Sequence, residues 1–107
     1  MNPFDFTQFE TLLLSIDPNA SKYEGNGNEA YTVWTPCGEA QVRFSNNRRS
    51  AVIRKVQIDR FTKSDSDTVA AKLYATLDAV PWVTFEYAQD FEPDTGYIHH
   101  IYDCEVF

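Results

Sequence analysis

Phe6, Phe9, Leu13 and Ile16 recur at spacings of three, four and three, with Asp5, Gln8, Glu10 and Thr11 between them. That pattern predicts a helix with one apolar side. Asn2-Pro3-Phe4-Asp5 offers a capping side chain, a Pro at the first helical position and an acid three residues after the cap, and Asp5 with Gln8 is an alternative start. The helix should end near Asp17-Pro18, because the residue before Pro is pushed out of the α region. Residues 19–29 have the composition of a connector, with two Gly that tolerate positive φ.

Alternation then takes over. Tyr31, Thr32, Val33 and Trp34 lead into Thr35-Pro36-Cys37-Gly38, which reads as a turn, and Glu39 to Phe44 reads as the returning strand of a hairpin. A second turn, Ser45 to Ser50, leads into the longest strand expected, Ala51 to Phe61. Its register slips between Ala51/Ile53 and Val56/Ile58, with Arg54-Lys55 at the break, which predicts a bulge there or a strand covered on both faces.

Ser64-Asp65-Ser66-Asp67 places cap oxygens and acids at the positive end of a second helix. Its stripe is Val69 or Ala70, then Leu73, Leu77 and Val80, and its outer face is Asp67, Ala71, Tyr74, Ala75 and Asp78. Trp82 to Tyr87 alternates again, with Val83, Phe85 and Tyr87 inward. Ala88 to Gly96 reads as a long loop, and Tyr97 to Val106 returns as the last strand. Ile98, His100, Tyr102, Cys104 and Val106 share one of its faces; Tyr97, His99, Ile101, Asp103 and Glu105 share the other.

The order α-β-β-β-α-β-β in a chain of 107 residues predicts one domain, residues 1–107, of class α+β. It should be a two-layer sandwich, an antiparallel sheet of about five strands with both helices on one face. The other face is expected to stand open, with Trp34 or Tyr31, Gln41, Arg43, Lys55, Gln57, Trp82 and Tyr97 as its candidates.

Charge changes this picture. Residues 1–72 hold nine acids and nine bases, so the formal charge of −7 belongs to residues 73–107, which contain no Lys or Arg and eight of the sixteen aromatic residues. From Arg43 to Lys63 the balance inverts, with seven bases to one acid. An acidic chain argues against general binding to nucleic acid or anionic membrane, both of which need clustered bases, and favours a partner with a basic surface. No apolar run has the length of a membrane helix and the first residues lack a leader pattern, so the expectation is a cytoplasmic protein with no membrane partner. Two cysteines, Cys37 and Cys104, are expected to be free thiols.

No motif assigns a reaction, and the expectation is a protein that is not an enzyme and carries no cofactor. Adjacent His99 and His100 point to opposite faces of a strand, while His100 and Cys104 share a face but lie roughly 13 Å apart at about 3.3 Å per residue, too far to chelate one metal. A small metal-dependent enzyme at His100 and Cys104 is therefore the weakest reading, with His100 structural and His99 exposed. Asp90 to Gly96 imitates the opening of a calcium loop, but its Gly comes one residue late and position twelve is Ile101 rather than a bidentate Glu.

Two surfaces remain. Glu86, Asp90, Phe91, Glu92, Asp94 and Tyr97 form an acidic, aromatic hairpin, in which acids would steer encounter and aromatics would anchor it. Arg43, Arg48, Arg49, Arg54 and Lys55, with Arg60 beyond them, form a basic ribbon, the alternative being a nucleic-acid-binding or regulatory module. Nearby acids would repel a phosphate backbone within a Debye length of roughly 8 Å, which favours a ribbon that pairs electrostatically with the acidic hairpin or with another subunit.

A single short domain with an acidic face and no catalytic signature is similar in kind to the inhibitors of phages and mobile elements, such as anti-CRISPR or anti-restriction proteins. It is similar in the same way to toxin-neutralising immunity proteins. That resemblance, one of size and charge, implies a nucleic-acid mimic that occupies a basic groove.

Overall fold

In the computed structural model the described residues are 5–25, 27, 29–39, 44–45, 48–49 and 53–107, with the side chains of 44–45 and 48–49 outside that set. The elements run α1 (Thr7–Ile16), β1 (Ser21–Lys22), β2 (Tyr31–Glu39), β3 (Phe44–Ser45), β4 (Arg48–Arg49), β5 (Arg54–Thr62), α2 (Thr68–Ala79), β6 (Val83–Glu92) and β7 (Tyr97–Val106). Among the described residues the main sheet has five strands in the order β1-β2-β5-β7-β6, all antiparallel except β1, which joins β2 in parallel. β3 and β4 pair as a separate two-stranded ribbon. The fold is α+β as the periodicity predicts, although the fifth strand of the sheet is Ser21–Lys22 rather than the expected 39–44 segment, of which residues 40–43 lie outside the described set.

α1 starts after Asp5, whose Oδ1 accepts from the Thr7 backbone N–H at 2.9 Å and from the Thr7 hydroxyl at 2.6 Å. The start expected first, on Asn2-Pro3, lies outside the described residues. Phe9, Leu13 and Ile16 are buried as the spacing requires, and the helix stops at Asp17, before Pro18. α2 is capped by Asp67, which accepts from the Ala70 N–H at 2.8 Å, and buries Ala70, Leu73 and Leu77. Both helices pack on one face of the sheet against Trp34, Val56, Ile58, Val83, Tyr102 and Val106.

Four expectations need correction. Thr35-Pro36-Cys37-Gly38 is not a hairpin turn: β2 runs straight through it, pairing Pro36 with Val56 and Gly38 with Lys55. Cys37 is the extra residue of a bulge, and Gly38 at φ 115° supplies the left-handed backbone that a side chain would resist. Pro36 is tolerated because beyond β1 this side of the strand has no partner among the described strands, so a missing N–H costs no ladder bond there. The bulge thus sits opposite the slip foreseen at Arg54-Lys55 but belongs to the partner strand, and β5 itself alternates without a break from Lys55 to Thr62.

Ala88–Glu92 is strand rather than loop, so β6 reaches ten residues and the loop shrinks to residues 93–96. Gly96 closes it at φ 78°, with its N–H on the Glu92 carbonyl at 2.8 Å. Trp34, a candidate for the open face, is 2% exposed and packs edge-on against Phe9 in the core.

The fourth correction concerns Arg60, assigned to the basic ribbon by its neighbours in sequence. It shares a face with Val56, Ile58 and Thr62 and is 6% exposed. Its Nε and Nη2 hold both oxygens of Asp67 at 2.9 and 3.0 Å, and its Nη1 reaches Asp17 Oδ2 at 3.5 Å and Thr32 Oγ1 at 3.3 Å. Asp67, placed on the outer face of α2 by periodicity, is instead half of this fork. One guanidinium thereby ties β5 to β2, to the end of α1 and to the start of α2.

Burial alone would raise the Asp67 pKa, but the bonds from Arg60 and from the Ala70 N–H outweigh it and hold the carboxyl below 3.8. Because the folded value is the lower one, the stabilisation is complete above the unfolded value and is lost as the pH falls through the folded one. Asp67→Ala removes the cap and the fork together. A loss of about 3 kcal/mol is expected at pH 7 in urea unfolding, with the gap to the unsubstituted protein closing in acid below the unfolded value. Equal stability at pH 7 would refute the clamp.

Candidate functional site

The β6–β7 hairpin divides its side chains cleanly because its register has no slip from Val83↔Val106 to Glu92↔Tyr97. Thr84, Glu86, Ala88, Asp90 and Glu92 of β6 share the open face with Tyr97, His99, Ile101, Asp103 and Glu105 of β7. Five carboxylates therefore lie on one side of two strands. Glu86 is directly opposite Asp103, so two like charges occupy a cross-strand pair, an arrangement that destabilises a sheet.

Beside that pair the bulge of β2 opens a hollow of about 570 Å³ lined by Cys37, Lys55, Gln57, Glu86, Asp103 and Glu105. Lys55 stands opposite Glu105 in register and is the one cationic side chain in the hollow among the described residues. Cys37 is exposed in it, while Cys104 is buried and its thiol is pushed up to about 12, first by burial and then by Asp103, so it stays protonated near neutrality.

The hairpin does not gather every expected anchor. Glu86, Asp90 and Glu92 share the open face, and Asp94 sits in the turn at the tip. Phe91 points to the opposite, helix-covered side and is 57% exposed there, beyond the reach of the helices. Tyr97 packs edge-on against Tyr31 and Phe61, and its hydroxyl donates to the Glu29 carbonyl at 2.6 Å. It is part of the sheet's own aromatic cluster rather than a free anchor. His99, expected exposed, is half-buried in that cluster: it stacks on Phe61 at 4.2 Å and meets Asp59 Oδ1 at 2.7 Å.

The described members of the basic ribbon point different ways. Arg54 lies over the Phe6 ring at 5.1 Å and donates to the Asp5 carbonyl. Lys55 is exposed on the acidic face, and Arg60 is buried. Arg43 and the side chains of Arg48 and Arg49 lie outside the described residues.

On the helix-covered side, Tyr74 of α2 meets Phe85 and Tyr87 of β6 edge-on at 5.1 and 5.6 Å. The Tyr87 hydroxyl lies 2.7 Å from His100 Nδ1, and Tyr102 donates to the Ala70 carbonyl at 2.7 Å. Burial lowers the His100 pKa below 6.5 and outweighs the pull of Asp67. His100 is thus committed to Tyr87 and Cys104 is buried two residues beyond Tyr102. Among the described residues no group of three or more His, Cys, Asp or Glu side chains is placed to hold a metal ion.

Sequence reasoning missed the hollow and the Tyr74–Tyr87–His100 cluster, because both depend on which strands become neighbours. The opposition of Glu86 and Asp103 could have been read by closing the hairpin at Gly96, had the loop been drawn four residues long. No protein-family model matches the chain, and no curated protein matches it.

Neutralising one member of the opposed pair should stabilise the fold. Glu86→Gln is expected to raise unfolding free energy by roughly 0.2–1 kcal/mol. Added salt should raise the midpoint of the unsubstituted protein more than that of the variant; a variant less stable than its parent at low salt would show that the opposition costs nothing. His100 gives a second test. With its folded value below 6.5, its contribution is whole above pH 6.5 and is lost as the pH falls through the lowered value. His100→Gln should therefore flatten the decline of thermal stability below pH 6.5, and an unchanged slope would contradict this.

Proposed function

We propose that the protein is a small acidic interaction module that docks the β6–β7 hairpin into a basic groove of a partner protein, a groove of the kind that holds nucleic acid. The observation that carries this reading is the open face of the hairpin, where Glu86, Asp90, Glu92, Asp103 and Glu105 lie together and Glu86 faces Asp103 in register. A fold gains nothing from setting two carboxylates against each other, whereas a basic partner gains from finding them already assembled. The hairpin itself contains no Lys or Arg to offset them.

In this reading the protein acts by binding alone, without catalysis. Occupying a nucleic-acid groove would make it an inhibitor, which agrees in character with the anti-defence proteins of phages and mobile elements. Carboxylates on the rim of such a contact act mainly on the rate of encounter, so association should weaken steeply with salt. Of the described basic residues, Arg54 is held by Phe6 and Asp5 and Arg60 by Asp17 and Asp67, so neither stands free to meet a phosphate.

The test is an affinity capture from the native host with the intact protein beside Asp90→Lys/Glu92→Lys/Asp94→Lys, followed by competition with labelled duplex DNA and RNA. A nucleic-acid-binding protein captured only by the unsubstituted chain, and displaced from its duplex by it, is the expected result. Identical captures by both proteins, or direct retention of duplex by the chain itself, would overturn the reading.

A further inference from the structure

β6 is the last strand of the sheet: β7 takes one side of it, and among the described strands none takes the other. Along Val83–Glu92 every second residue therefore directs its backbone N–H and C=O away from β7, a row without a strand partner in which the Val83 N–H is held by the Val80 carbonyl at 3.4 Å and the Phe91 N–H by Asp90 Oδ1 at 2.9 Å, leaving the stretch between them for a sixth strand. A groove of about 290 Å³ runs beside this edge on the helix side, between α2 and β6, lined by Tyr74, Leu77, Asp78, Val83, Phe85 and Tyr87. Tyr74 is 47% exposed at its rim, and exposed Phe91 extends the apolar row toward the tip. On the opposite face of the same strand stand Glu86, Asp90 and Glu92.

We propose that the β6 edge takes an extended peptide segment of the partner as a sixth strand, a segment in which Lys or Arg alternates with apolar or aromatic residues. This rests on the acidic-face reading and specifies what the partner presents to it. A strand sends successive side chains to opposite faces, so a segment paired with β6 places one set over the groove and the other beside the carboxylates. Only a segment with a period of two satisfies both. A second copy of this chain is a poor occupant, because it brings the same three carboxylates of each strand to one face of the joint; centred on Ala88, it sets Glu86 opposite Asp90 twice.

The probe is a nine-residue synthetic peptide alternating Lys with Val, compared with a scrambled peptide of the same composition and with two backbone-methylated forms, one methylated at every Val nitrogen and one at every Lys nitrogen. Only one alternate set of peptide N–H groups can face β6. One methylated form should lose affinity by at least about tenfold while the other binds like the parent. The scrambled peptide should bind more weakly, amide exchange should slow at alternate residues of Val83–Glu92, and Tyr74→Glu should weaken binding of the alternating peptide.

If both methylated forms bind as the parent does and no amide of β6 is protected, the strand inference fails while the acidic-face reading stands. If Glu86→Gln/Asp90→Asn/Glu92→Gln leaves binding of every peptide unchanged, the acidic-face reading fails and the inference fails with it. Absence of binding by any of the peptides, with the captured partner still lost from the charge-reversed hairpin, would refute the strand inference alone.

Discussion

The fold depends on one buried guanidinium. Arg60 stands where β5 would otherwise place another apolar residue, and it holds the Asp67 fork on one side and Asp17 and Thr32 on the other. A lone charge at that depth would be costly, and the pair repays the cost only because the geometry is bidentate and the remaining oxygens are bonded. The consequence is architectural: Asp17 follows the last turn of α1 and Asp67 caps α2, so a single side chain fixes where one helix ends and the other begins over the sheet. Tyr102, bonded to the Ala70 carbonyl, fixes the same turn of α2 from β7.

With α2 seated, the two faces of β6–β7 acquire different characters. The helix covers Val83 and part of Phe85, then runs out, leaving Tyr87 and Phe91 exposed along the strand. The far face has no second layer among the described elements, and its central strands fill the space with their own rings: Tyr31, Phe61, Tyr97 and His99 stack and tilt against one another at 4.2 to 6.1 Å. That cluster lies toward the Tyr97 end of β7. At the other end, around Glu86, Asp103 and Glu105, no aromatic ring of that cluster reaches among the described residues, and there the hollow opens.

Much of this was legible in the sequence, and what was not has a common cause. Helix faces and the faces of β7 follow from periodicity because a side chain's direction is set by its own backbone. The turn at Thr35–Gly38 was misread because Pro and Gly serve equally well in a turn and in a bulge of an edge strand; which one forms depends on whether β5 lies alongside. Ala88–Glu92 was misread as loop because its composition is polar, yet an edge strand pairs on one side and needs little burial. Arg60 carried a signal, its parity with Val56 and Ile58, but the two carboxylates that make burial tolerable are 43 and seven residues away. The acidity of the last third was plain from composition, whereas the opposition of Glu86 and Asp103 is a property of register.

That opposition lies apart from the contacts that hold the fold. Arg60, Asp67, Tyr102 and the apolar faces of both helices lie on one side of the sheet, and the repelling carboxylates lie on the other, at its outer two strands. β7 is held by β5 along nine paired residues from Arg54↔Val106 to Thr62↔Ile98, so repulsion across β6–β7 is borne by a strand already anchored. The hairpin can therefore carry a charge arrangement that costs about the worth of one weak cross-strand pair without endangering the core. On the proposed reading, a basic partner that relieved the repulsion would recover that energy on binding, so the register that weakens the free protein would strengthen such a complex. The clamp at Arg60 makes the acidic face possible although the two never touch.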